Sequence, residues 1–452
     1  MVVLWTDALI YFLLVVMLGL GLYLRGKEHI KRPLQKICRS KIGMVSLVAL
    51  LFFVLIGLLD SIHFKPADDK KNEIISVLDD WATPLRKHGE KTYSSPFATT
   101  LYSKEMMLQV DGSMQWSYPR LEFGGKHLDD TETQKIPDIL QKTAYGFFQG
   151  IALTGLLMLF IVPMLRRGSV VQVAPAAREG SSTKAVWLTL FIIIPVATIL
   201  IHLSSYYHVF GTDKVGEDVF YQAVKSIRTG LVIGTLTTLI MLPMAIIFGI
   251  LAGFFQGWVD DIIQYVYTTL NSIPGVLLIA ASILMVQVYM ANHEAAFTSV
   301  IVRSDMRLLF LCMILGVTSW TGLCRLLRAE TLKLREMEYV QAATALGVKK
   351  TTILMRHILP NVMHIVLISV VLDFSSLVLA EAVLSYINIG VDPTSYSWGN
   401  MINGARLEMA REPVVWWSLS ASFVFMFALV LAANLFADVV QDAFDPRRSG
   451  NE

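Results

Sequence analysis

Few residues of this 452-residue chain are placed to do covalent chemistry. The sequence holds no Gly-x4-Gly-Lys-[Ser/Thr] phosphate loop, no Gly-x-Ser-x-Gly nucleophile elbow and no His-Glu-x-x-His pair. Its three cysteines, Cys38, Cys312 and Cys324, lack metal-ligand spacing, and His202 and His208 are too isolated to make a metal site. No catalytic residue, metal or cofactor is therefore expected on the chain itself. The side chains that stand out are suited to binding and to transmitting movement. They lie in a basic stretch at Arg335–Asn361, in an acidic turn at Gly211–Asp218, in a loop around Trp398 and Gly399, and in an apolar run that carries Asp373 and Glu381.

The stretch from Arg335 to Asn361 is a polar interruption between two long apolar runs. Ala342, Ala343 and Ala345 favour a short helix over Glu338 to Leu346. Val340, Ala343 and Leu346, with Tyr339 one turn before Ala343, give that helix an apolar stripe. Gly347 stands where a left-handed residue would stop it. Lys349, Lys350, Arg356 and His357 follow, and Pro360 opens the next apolar run. Such a helix must lie against the membrane or dock on a soluble partner. In the turn Gly211-Thr212-Asp213, followed by Gly216, Glu217 and Asp218, the glycines permit tight bends. Asp213 or Asp218 can cap the helix that follows. Asp373 and Glu381 are eight positions apart on one apolar run and so share a helical face, with His364 upstream. Ionised groups in lipid are costly, about 2.5–3.5 kcal/mol each on insertion scales, so these are candidates for a translocation path. Glu381 could instead sit near the interface and pair locally.

The elements that position these residues follow from composition. Hydrophobic residues make up 54% of the chain, and the mean hydropathy is +0.57. Repeated apolar runs of about 20 residues mark a multi-span helical membrane protein. With 38 Lys+Arg against 36 Asp+Glu, the net charge of +2 implies no nucleic-acid partner. Nine spans are expected, at about 3–24, 42–59, 144–165, 185–204, 229–254, 262–290, 308–327, 362–386 and 415–440. The basic loop Arg25–Lys41, then Arg166, Arg167, Arg178 and Lys184, then Arg447 and Arg448, all fall on one side. By the positive-inside rule that side is cytoplasmic, with the N-terminus outside and the C-terminus inside. Asp60–Lys142 becomes an extracytoplasmic insertion in which Met107 to Pro119 alternates apolar and polar residues, as a small β element with an Asp111-Gly112 turn would. The first apolar run lacks a basic leader and a small-residue cleavage site, so it is expected to be retained.

Several of these motifs resemble one family. Gln341-Ala342-Ala343, Gly347, Ile358, Leu359 and Pro360 resemble the E-A-A-x3-G-x9-I-x-L-P loop of ABC importer permeases, with Gln341 at the usual Glu. Gly211, Thr212, Asp213, Gly216 and Asp218 resemble the G-T-D-x-x-G-R-D signature of dipeptide and oligopeptide permeases, with Glu217 where Arg is usual. Ser397-Trp398-Gly399-Asn400-Met401, Glu381, and Asp442-Ala-Phe-Asp445-Pro446 match the same subfamily, so the resemblance covers about Phe210 to Arg447. The 60–142 insertion is similar to that of Yej-type permeases for microcin C and longer peptides.

The resemblance implies an all-α polytopic fold: a six-span MetI-like core at 185–452 with a coupling loop at 335–361, two N-terminal helices in 1–59, a small α+β domain at 60–142, and a third helix and linker at 143–184. It implies a bacterial inner-membrane subunit that passes peptides inward from a periplasmic binding protein. Its partners would be a homologous permease, forming a heterodimer, and two ATPase subunits or domains that hold the ATP and magnesium. The outer-face residues could cap a helix or touch the binding protein. Nickel or another small solute is an alternative cargo, favoured by a His- or carboxylate-rich outer face. A membrane-anchored sensor or scaffold would need neither the coupling loop nor a second permease. The insertion is expected to be separable from the core, leaving six folded spans when it is deleted.

Overall fold

The computed structural model describes residues 2–24, 28–66, 74–108, 114–131, 133–167, 180–293 and 299–444. Apolar runs become helices throughout. In chain order these begin with α1 (Trp5–Leu24), α2 (Glu28–Arg39) and α3 (Lys41–Ser61). The insertion holds the pair β1 (His63–Phe64) and β2 (Ile75–Ser76), then α4 (Val77–Trp81), α5 (Thr83–Lys87) and the hairpin β3 (Glu105–Leu108) and β4 (Met114–Ser117). Next come α6 (Lys135–Arg167), α7 (Gly180–Ser204), α8 (Val219–Phe255), α9 (Gly257–Ser272), α10 (Gly275–Asn292) and α11 (Val300–Arg335). The chain finishes with α12 (Glu338–Ala345), α13 (Lys350–Ile353), α14 (Leu359–Tyr386), α15 (Trp398–Glu408) and α16 (Trp417–Phe444).

Among the described residues seven helices are long and apolar enough to cross a membrane: α3, α6, α7, α8, α10, the run containing α13 and α14, and α16. Two expected spans are not among these seven: α1, a 20-residue helix whose one charged residue is Asp7, and α11, in which the uncharged run 308–324 lies between Arg307 and Arg325. The expected sixth span, 262–290, is instead two helices. Pro274 supplies no N–H and holds the residue before it extended, so α9 ends at Ser272 and α10 restarts at Gly275. The expected basic loop 25–41 is largely helical, because Ile30, Leu34 and Ile37 recur at helical spacing on either side of Pro33. Ser40 then caps α3, its Oγ accepting the Gly43 N–H at 3.2 Å. The expected Asp111-Gly112 turn lies outside the described residues, but its flanking strands pair antiparallel from Glu105↔Ser117 to Leu108↔Met114.

The chain forms two compact units. One comprises Met1–Val2, Leu34–Thr229 and Tyr396–Ala432. In it α6 and α7 run antiparallel in close contact: a Cβ on Gly146 would lie 2.8 Å from the Ile199 Cα, and one on Gly150 would lie 2.4 Å from the Pro195 Cα. The insertion belongs to this unit, with a small core of Ala98, Leu101 and Leu121.

The other unit comprises Val3–Pro33, Gly230–Ser395 and Ala433–Glu452. Its α1 joins α11 through a buried pair, in which the Thr6 hydroxyl donates to Asp305 and the Thr6 N–H lies 3.3 Å from the same carboxylate. Helices α8 and α11 cross through Gly249 and Gly253. A Cβ at Gly249 would meet the Cys324 carbonyl oxygen at 2.9 Å, and one at Gly253 would meet the Arg328 carbonyl oxygen at 2.7 Å. Where lipid supplies no hydrophobic drive between helices, such close backbone approach is a principal source of association. Gly253→Leu is therefore expected to push α11 off α8, at about 1–3 kcal/mol or more. A thermal melt of the purified variant should fall by several degrees; an unchanged melt would show that the crossing is not stabilising.

Candidate functional site

The loop motif at 335–361 is seated on the core of its own unit. Val340, only 1% exposed, packs with Ile353, Ile358 and Val362, and with Tyr267, Leu323 and Leu327 from α9 and α11. Burying a side chain of this kind is worth roughly 1.5–3 kcal/mol. Ala343 packs against the same cluster. The helix stops as its glycine requires: Gly347 has φ of +74°, its N–H donates to the Thr344 carbonyl at 3.0 Å, and the Val348 N–H donates to Ala343 at 3.1 Å. These two bonds close a Schellman turn. No atom lies near a hypothetical Cβ there, so the backbone alone demands glycine.

The expected stripe Val340–Ala343–Leu346 is split by this geometry. Helix α12 ends at Ala345, and Leu346 becomes the cap residue, turned out to solvent at 83% exposure. Gln341, Ala342, Thr344 and Ala345 are also exposed. Glu338 opens the first turn. Gln341, at the position where Glu is usual, reaches back to the Glu336 carbonyl at 3.2 Å.

A second tie joins α12 to α14. Asn361 Nδ2 donates to the Tyr339 hydroxyl at 3.1 Å and to the His357 carbonyl at 2.7 Å. Pro360 has no N–H to give, and the turn before it widens into a π-helix, Leu354–Ile358, whose Leu354 carbonyl accepts the Leu359 N–H. Arg328 on α11 clamps Asp260 on α9 with two bonds, 2.6 and 2.7 Å. The small helix is thus fastened to α11 by packing and to α14 by packing and the Asn361–Tyr339 bond.

The acidic turn lies in the other unit and is built into the insertion. Gly211 and Gly216 have φ of +68° and +82°, and a Cβ would lie 2.3 Å from the Ser94 oxygen in the first case and 1.7 Å from the Glu90 oxygen in the second. Only glycine fits either place. Thr212 Oγ accepts the Ser94 N–H at 2.7 Å and donates to the Thr92 carbonyl at 2.8 Å. The Thr212 carbonyl accepts the Trp417 indole N–H at 2.9 Å. Asp218 Oδ1 accepts the Tyr221 N–H at 3.0 Å and so caps α8. Asp213 instead folds the loop, accepting the N–H groups of Val215 and Glu217, each at 2.9 Å.

Trp398 and Gly399 are buried at the start of α15, where the Trp398 indole N–H donates to the Ala223 carbonyl at 3.0 Å. Within the described structure Gly211, Thr212, Asp218 and Trp398 serve as joints. In α14, Glu381 is buried and accepts the Ser385 hydroxyl at 2.7 Å. Asp373 is half-buried and makes no hydrogen bond or ion pair among the described residues. Asp442 lies on α16, whereas Asp445 and Pro446 fall outside the described residues.

Two charge clusters were not foreseen from the sequence. His208 lies between two buried carboxylates, with Nδ1–H donating to Asp218 at 2.7 Å and Nε2–H directed at Glu90 at 3.4 Å. Glu90 also accepts the N–H groups of Glu122, Phe123 and Gly124 at 2.9–3.1 Å. In the second cluster, Lys225 Nζ is 2.6 Å from Asp79 and 3.6 Å from Asp60. Tyr221 and Ser76 add hydroxyl bonds of 2.6 Å to Asp79 and Asp60. The first cluster binds the insertion to the turn before α8, and the second binds it to the first turns of α8. Deleting 60–142 would leave Lys225 without Asp60 and Asp79, His208 without Glu90, and Thr212 without Thr92 and Ser94.

Burial alone would lower the basicity of His208, but the hydrogen bonds to Asp218 and Glu90 outweigh it and raise its pKa to about 9. Its contribution to stability is full below the unfolded value near pH 6.5 and is lost as pH rises through about 9; the shift corresponds to roughly 3 kcal/mol. Burial would raise Glu90 and Asp79, yet His208 and the backbone N–H groups hold Glu90 low, and Lys225 holds Asp79 low. Their contributions are present above about pH 4 and are lost on acidification. Melts are thus expected to peak between about pH 5 and 6.5 and to fall toward pH 9. His208→Gln should flatten the alkaline limb; an equally steep limb in that variant would refute the assignment.

Comparison with known proteins agrees with this arrangement. Residues 245–450 match the family described as binding-protein-dependent transport system inner membrane component. The glutathione transport system permease protein GsiD of Pectobacterium atrosepticum is 30% identical over 240 residues, covering 53% of this chain and 73% of the relative. The oligopeptide transport system permease protein OppC of Haemophilus influenzae is 29% identical over 241 residues, covering 53% and 71%. The dipeptide transport system permease protein DppC of Lactococcus lactis is 30% identical over 242 residues, covering 54% of this chain and 64% of the relative. With its multiple spans and its firmly seated loop helix, this chain belongs to the binding-protein-dependent transport system inner membrane component family of multi-pass membrane permeases.

Proposed function

We propose that the chain is a permease subunit of an ABC importer that passes peptides from an extracytoplasmic binding protein into the cytoplasm. The observation that carries the mechanism is α12: its inner face is locked to α11 and α14, while Leu346 and the neighbouring alanines are bare. A partner ATPase, holding ATP and magnesium, would seat on that bare face. Closing two such ATPases moves α12, and α11 and α14 are carried with it, so the spans alternate between open faces. ATP and cargo must each favour a different conformer for this to couple. The names of the dipeptide, glutathione and oligopeptide relatives support peptide cargo. The six-span core is assigned to 185–452, with a homologous permease completing the pore and the basic loops facing the cytoplasm.

Reconstitution in proteoliposomes with the ATPases, second permease and binding protein tests this reading. ATP-dependent accumulation of labelled peptide is expected. Accumulation of nickel without peptide would assign another cargo, and outward movement would overturn the direction. Asp373, an unpartnered carboxylate midway along α14, is assigned to the path. Asp373→Asn is expected to reduce uptake of lysine-containing peptides several-fold more than uptake of neutral ones; equal effects would remove it from the path.

A further inference from the structure

In the unit that carries the insertion, a groove of about 690 Å³ is cut between α3 and α7 and reaches the first turns of α8 and Phe425 and Ala428 of α16. Phe52 and Leu55 of α3, Val196 of α7 and Phe425 of α16 form its walls, and Trp81 of α4 forms its roof. The four helices that line it, α3, α7, α8 and α16, all qualify as membrane spans, so the medium on the groove's open side is bilayer hydrocarbon. Tyr221 closes the roof end, with its hydroxyl already donated to Asp79. Ordered water needs two to four polar partners, and this lining offers almost none. A helix about 10–12 Å across would fill the volume in little more than one turn, which is too short an element to seat there. A single flexible hydrocarbon chain suits the shape. Trp81 is 61% exposed at the rim, where an amphipathic ring meets lipid headgroups.

We propose that this groove binds one acyl chain of a membrane phospholipid, held between α3 and α7 beneath the α4 roof. The bound chain completes the packing under the insertion and links it to the spans below. The proposal is independent of what the permease carries.

The test uses the full chain in nanodiscs of phosphatidylethanolamine and phosphatidylglycerol, with a diazirine on one phosphatidylethanolamine acyl chain. After exchange against unlabelled lipid and then irradiation, peptides from 49–59 and 192–201 should carry several-fold more label than the peptide around Leu159 and Phe160. Those two α6 residues are bare and report ordinary surrounding lipid. Ala197→Trp, which fills the groove, should remove the excess and leave the α6 label unchanged. Groove labelling no greater than that of α6 in the unaltered protein would overturn the proposal, whatever the variant's folding. Labelling below that of α6 would also overturn it, by showing the groove covered with protein.

Discussion

Leu346→Glu is expected to abolish ATP-driven uptake, a fall of at least about 100-fold, while the subunit remains in the membrane at its normal level. The side chain is 83% exposed and supports no core contact, so its loss costs the fold little. If the proposed ATPase seats on α12, a charge at this point places an unpaired carboxylate in a closed apolar contact, and truncating or charging a central anchor typically costs 2 kcal/mol or more of binding. Co-purification should show the ATPase lost and the second permease retained. Val340→Asp makes the opposite case: it buries a charge among Ile353, Ile358 and Val362, and should unfold the loop and lower membrane levels. Retained ATPase and retained uptake in Leu346→Glu would reduce α12 to a surface helix.

The second large effect concerns the insertion. Lys225→Met leaves Asp60 and Asp79 buried without their cation. Breaking a buried pair by removing one partner is worth about 3–5 kcal/mol, because the remaining charge stays desolvated. The variant should melt many degrees lower, and a protease should cut the 60–142 segment faster. Adding Asp79→Asn to Lys225→Met removes the stranded charge and should restore part of the loss. If the single variant melts normally, the Lys225 cluster is incidental to the joint. The Glu90–His208–Asp218 cluster stabilises the same junction by separate residues, so the two effects should be roughly additive.

The span pattern and the short helix stopped by Gly347 were legible in the sequence because they are local: apolar runs, alanines and one glycine decide them. The direction of Leu346 was not, since the stripe assumed one more helical residue than α12 has, and the Schellman turn swings the cap outward. The break at Pro274 was visible in the sequence but outweighed by the apolar run around it. The charge clusters were hidden for another reason. His208 and Glu90 are 118 positions apart, and Tyr221 and Asp79 are 142 apart, so no periodicity or spacing joins them. A buried Lys or His beside a span is the only local hint that carboxylates must come from elsewhere. The roles of Gly211, Thr212 and Gly216 followed from the same fact: as letters they are a turn, and only the insertion's backbone at Glu90 and Ser94 shows why no side chain could replace the glycines.

The central claim, that α12 carries ATPase movement into the spans, is tested most directly by cysteine crosslinking in the assembled transporter. The native Cys38, Cys312 and Cys324 are first replaced, and a single cysteine is placed at Leu346 or, as a control, at Val340. Leu346→Cys should crosslink to the ATPase, and the linked complex should stop transporting until the bond is reduced. Val340→Cys, turned into the core, should give no crosslink. An intact, transporting complex in which Leu346→Cys never meets the ATPase would contradict the account.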